Sequence, residues 1–125
     1  MVDAYLEEII RELFIHPSIS AFKVVRQEAS DEEGYIRVKC SLSNGGTLEF
    51  SEYVEQSAGS IQIITYNYHW QNAKGALVKR WDNVEHHKKI RTFPHHLHLS
   101  DEKVVDSSPM NLKRVLQEIE KYLTE

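Results

Sequence analysis

The chain holds one cysteine, Cys40, in 125 residues. It forms no internal disulfide, which favours a reducing compartment. No apolar run approaches the roughly 20 residues that span a bilayer. The opening stretch MVDAYLEEII lacks the basic leader of a secretory signal. The expected location is therefore the cytoplasm, with no membrane contact. There is no cysteine pair and no His-Glu-x-x-His stretch, so no standard zinc pattern is present. Gly45-Gly46 is followed by no Lys-Ser/Thr pair, which excludes a phosphate loop. A net charge of -4 argues against a protein basic all over. Repeats, low-complexity tracts and linkers are absent, and the length fits a single domain over residues 1–125.

What the sequence has in quantity is histidine, concentrated in one stretch. Residues 66–98 contain six of the seven histidines: His69, His86, His87, His95, His96 and His98. The same stretch carries six Lys or Arg against two acidic residues, and both tryptophans. Charge is uneven along the chain. Residues 1–62 hold five basic and eleven acidic side chains, residues 63–125 ten and eight. An acidic half and a basic, His-rich patch suggest two different surfaces.

Leu6, Ile9, Ile10, Leu13 and Phe14 recur at helical spacing, so a first helix is expected from an Asp3 cap to about Phe14. His16-Pro17 ends it. Strands are expected over 19–27, 35–42, 47–54, 61–70, 76–82 and 96–99. Ile36, Val38, Cys40 and Leu42 alternate cleanly, which makes Cys40 a core residue. Asn44-Gly45 marks a hairpin turn. A four-residue loop over 72–75 would set Asn67 opposite Arg80, His69 opposite Val78 and Thr65 opposite Asp82, all on one polar face. Tyr66, Tyr68, Trp70 and Trp81 would share the other face, as core or as a stacking platform. Pro94 implies an extended approach to the last strand, where His96 and His98 point to one side. Ser108 is expected to cap a final helix with Pro109 in its first turn. The fold class is α+β: a curved antiparallel sheet of about five to six strands, with an N-terminal and a C-terminal helix on one face.

The histidine stretch suits metal-free RNA cleavage, in which a ribose 2′-OH attacks its own phosphate. Histidines supply base and acid near neutral pH. Arg80 offers a planar fork to phosphate oxygens. The candidate catalytic residues are His69, Arg80, Asp82, His86, His87, His96 and His98. Lys88, Lys89, Arg91 and His95 are candidates for binding the RNA backbone, and Tyr68 for stacking a base. No metal or other cofactor is expected. A metal site among Asp82 and the histidines is the competing chemistry, with His96 and His98 able to share one ion and His95 and His96 not. A further possibility is that some histidines only hydrogen-bond turn backbone, as Asp82-Asn83 suggests.

Tyr66-Asn67-Tyr68-His69-Trp70-Gln71, Gly75, Arg80-Trp81-Asp82-Asn83, His86-His87 and Phe93-Pro94-His95-His96-Leu97-His98 together resemble the TumE-type toxin family of prokaryotic toxin–antitoxin modules. The acidic first helix and the last helix after Ser107-Ser108-Pro109 are also similar. The resemblance implies a toxin beside a cognate antitoxin, usually a helix-turn-helix DNA-binding protein. Its analogy to other small toxins implies an endoribonuclease acting on RNA. A homodimer is compatible with it. The alternative is a non-catalytic module whose basic, His-rich surface grips nucleic acid or protein.

Overall fold

The structure is a computed structural model and describes residues 1–84 and 92–125. It comprises α1 (Val2–Ile15), β1 (Ile19–Ala29), β2 (Glu33–Leu42), β3 (Thr47–Ser57), β4 (Ser60–Gln71), β5 (Leu77–Asp82), β6 (His96–Leu99), β7 (Val104–Asp106) and α2 (Leu112–Leu123). The strands form one open antiparallel sheet in the order of the chain. Consecutive strands pair, and connections of five residues or fewer join all of them except β5 and β6. The α+β class is as the sequence implies, with seven strands rather than about five to six. The extra one is the three-residue β7, too short to show a period.

Both helices cover one face. α1 buries Val2, Leu6, Ile9 and Leu13, and α2 buries Leu112, Val115, Leu116 and Ile119. Each set recurs at helical spacing and forms an apolar stripe. They pack on Ile36, Val38, Phe50, Tyr66, Tyr68, Trp70 and Trp81 from the sheet. Gly34 lets α1 sit this close. A Cβ there would meet Val2 Cγ1 at 2.7 Å. Two boundaries differ from expectation. Asp3 lies inside α1, which has no side-chain cap. Asn111, not Ser108, caps α2, accepting from Arg114 N at 2.9 Å. Asn and Ser serve this role about equally, so the propensity does not choose between them.

The β4–β5 register also differs. Gln71 pairs with Leu77, leaving a five-residue loop over 72–76, and a bulge beyond it adds one more residue on β5. Asn72 shapes the loop by accepting from Lys74 N at 2.9 Å and Ala76 N at 3.0 Å. Gly75 takes φ +82° there. The slip totals two residues, so every side chain keeps its expected face. His69 now lies opposite Arg80 and Asn67 opposite Asp82. The approach to β6 is a tight turn with a cis Phe93–Pro94 bond rather than an extended segment. No helix among the described residues is long and apolar enough to cross a membrane.

Candidate active site

The sheet face turned away from the helices carries two polar rows across the strands. One runs Glu49, His69, Arg80, His98 and the other Ser51, Asn67, Asp82, His96. Strand alternation alone puts these residues on one face. Where the rows meet on β5 and β6, a compact cluster forms. Asp82 is 2% exposed and His96 2%. Asp82 Oδ1 lies 2.6 Å from His96 Nε2 and accepts from Val84 N at 3.1 Å. Asp82 Oδ2 is 3.4 Å from both His98 Nε2 and Arg80 Nε. The Arg80 Nε–H is not aligned to donate to that oxygen, so that contact acts through charge. A buried carboxylate with the Arg80 cation and hydrogen-bonding partners beside it avoids the large cost of an isolated buried charge.

The two histidines of the cluster are held differently. His96 Nδ1 faces the Pro94 carbonyl at 3.0 Å while Nε2 faces Asp82. A carbonyl only accepts, so Nδ1 carries a proton. The Asp82 carboxylate on the other side of the ring is likewise only an acceptor. His98 Nε2 lies 3.0 Å from Arg80 Nη2 and 3.4 Å from Asp82 Oδ2. It therefore meets a donor when neutral and an acceptor when protonated. Both states of the ring have a partner, which suits a group that moves protons. The His96 and His98 rings stand edge to face, 4.9 Å apart. His98 and Arg80 also reach the surface, with side chains 16% and 36% exposed against 3% for His96. Asp82 and His96 form the floor, and His98 and Arg80 the accessible part.

His69 adjoins this cluster as the cross-strand neighbour of Arg80. Its pKa is lowered, first by burial and then by the Arg80 charge, with Glu49 opposing. It is a neutral base at neutral pH. His95 points to the other side. Its Nδ1 lies 2.8 Å from the Tyr66 hydroxyl and its ring stacks on Tyr66, with centroids 5.8 Å apart. Its pKa is lowered too, by burial and then by His96. Tyr68 is fully buried in the core, with its hydroxyl donating to Glu52 at 2.7 Å. A ring with no exposed face does not stack a base, so its expected substrate role does not fit this position. His86, His87, Lys88, Lys89 and Arg91 lie outside the described residues.

The sequence brought His69, Arg80, Asp82, His96 and His98 into one candidate list, and the structure brings them together. It did not single out the Pro94 carbonyl, whose role follows only from the tight turn before β6. It also passed over Glu52, which alternation from Phe50 already aims at the core. Asp82, His96 and His98 are also the one group of possible metal donors among the described residues, with ligand atoms within 4.8 Å of one another. The donor types suit a first-row transition ion, and the His96 Nδ1 bond to a carbonyl is the support such ligands use. The Arg80 guanidinium lies against two of the three donors, so an ion there requires Arg80 to swing aside.

The model of the family described as Toxin TumE matches residues 6–123. The chain belongs to the TumE toxin family. It is thus the toxin component of a toxin–antitoxin module, and its partner is an antitoxin. All the residues of the Asp82 cluster fall within the matched span. No curated protein and no solved structure matches the chain.

Proposed function

We propose that this TumE toxin cleaves RNA at the His69–Arg80–His98 surface, without a metal. The observation that carries the reading is the position of His98 Nε2 between Arg80 Nη2 and Asp82 Oδ2. In this reading neutral His69 takes the proton of a ribose 2′-OH, and that oxygen attacks the adjacent phosphorus. The bond to the 5′-oxygen breaks, and protonated His98 returns a proton to the leaving oxygen. Arg80 stabilises charge on the phosphate oxygens. Asp82 and His96 do not touch substrate; they position His98 and Arg80. His86, His87, Lys88, Lys89 and Arg91 are proposed as further proton-transfer or phosphate-binding groups. His95 supports it from the other side of β6. The toxin acts in the cytoplasm, and its antitoxin is a helix-turn-helix DNA-binding protein.

The test is cleavage of total RNA by purified protein, with and without chelator, beside Arg80→Ala. Arg80→Ala leaves Asp82 paired with His96, so the variant folds. It should lose both cleavage and toxicity. An active, toxic Arg80→Ala protein would remove the assignment. The proximity of the Asp82, His96 and His98 donors supports one second reading, metal-dependent hydrolysis. Cleavage lost on chelation would favour it. A folded protein that poisons cells without cutting RNA would be a binding module instead.

A further inference from the structure

We infer that Lys23 and Lys39 form a phosphate-binding subsite for the RNA strand on its way to Arg80. The inference rests on the reading of the cluster as an RNA-cleaving site. It starts from an unfavourable feature of the β1–β2 pairing. Lys23 lies directly opposite Lys39, and Arg26 directly opposite Arg37. Like charges in facing positions destabilise a strand pair. Here two such pairs occur together in one ladder of an acidic protein.

The arginines are neutralised internally. Arg26 bonds Glu28 at 3.0 Å, and Arg37 bonds Glu49 at 2.8 Å. The lysines are not. Among the described residues no carboxylate lies within ion-pair distance of Lys23 or Lys39. Glu49 is the cross-strand partner of Lys39 but is taken by Arg37. Both lysines are exposed and line one hollow of about 520 Å³, with Ser41, Thr47, Gln71 and the Arg37-paired Glu49. An anion in that hollow relieves the repulsion between the two lysines.

The hollow is in line with the cluster. Lys23, Lys39, Glu49, His69, Arg80 and His98 occupy successive positions of one cross-strand row. Three strand spacings separate Lys39 from Arg80, about 14 Å. An extended nucleic-acid strand laid across the sheet sets one phosphate at Arg80 and another, a few nucleotides away, at the lysine pair. Net charge conceals this surface. The acidic side chains Asp3, Glu7, Glu8 and Glu12 sit on α1, on the other side of the sheet. Lysine suits the subsite because it binds phosphate as a mobile point charge without reading sequence.

The test is binding of a fluorescein-labelled single-stranded oligouridylate by the full chain, read by anisotropy over a salt series. The double variant Lys23→Ala, Lys39→Ala should bind about twentyfold more weakly at 0.1 M salt, with a salt slope lower by about 1.4. Its melting temperature should be unchanged or higher, since a like-charge pair is removed. Wild-type binding that the double variant retains, with the same slope, would overturn the subsite and leave the RNA reading standing. No binding by the wild type would overturn both. Displacement of the RNA by polyglutamate as effectively as by unlabelled oligouridylate would assign the hollow to acidic polypeptide instead.

Discussion

Two carboxyl groups are buried on opposite faces of the same sheet, Glu52 at 1% exposure and Asp82 at 2%. They are accommodated by different means. Glu52 faces α1 and accepts from the hydroxyls of Tyr5 and Tyr68. Burial raises its pKa, the two hydrogen bonds opposing, so the site favours the neutral acid. Asp82 on the open face has two imidazoles, His96 and His98, and the Arg80 guanidinium around it. The difference teaches where chemistry resides. The Tyr5 and Tyr68 hydroxyls hold their protons far above the neutral range, because burial and then Glu52 raise both pKa values. Neither hydroxyl of that trio exchanges its proton at neutral pH. The Asp82 partners include two imidazoles and extend to the surface.

The contrast can be broken by substitution. Asp82→Ala removes the carboxylate that faces the buried His96 Nε2 and the counter-charge beside Arg80. The expected cost is about 3–5 kcal/mol, the range for removing one partner of a buried ion pair. Urea unfolding measures it. Glu52→Gln keeps the shape and loses no charge the site favours. Its expected cost is about 1 kcal/mol, that of one altered hydrogen bond. Toxicity should vanish in the first variant and persist in the second. Equal costs would mean that both carboxyls are held alike.

The smallest effect sharpens the comparison through pH. The lowered pKa values of His69 and His95 mean that the unfolded chain binds more protons just below the ordinary histidine value of about 6.5. Stability from these residues is complete above that pH and is lost as pH falls toward the folded values. Glu52 has the opposite sign. Its raised pKa gives stability that is present in acid and lost as pH rises through the folded value. Wild type relative to Glu52→Gln should therefore weaken as pH rises. Melting curves across this range check both slopes.

Much of this is legible in the sequence. Alternation along β2, β3 and β4 assigned the core face. The step from His96 to His98 put both on one side of a strand. The β4–β5 register differs by two residues from the one the sequence implies, because loop length and bulge are set by Asn72, Gly75 and local twist, which no period encodes. The difference is even, so the faces survive and only the opposing partners change. That change matters, since it moves Arg80 beside His69 and Asp82 beside Asn67. The lysine row was invisible because Lys23 and Lys39 are far apart in sequence and lie in the acidic half. Only the sheet brings them into line with Arg80.

The most direct measurement is the chemical identity of the 3′ end left on cleaved RNA, read by mass spectrometry on a short single-stranded substrate. Attack by the 2′-OH with His69 and His98 exchanging protons requires a 2′,3′-cyclic phosphate, and that is the predicted product. A 3′-hydroxyl paired with a 5′-phosphate would contradict the account, because it reports attack by water and would give Asp82, His96 and His98 to a metal.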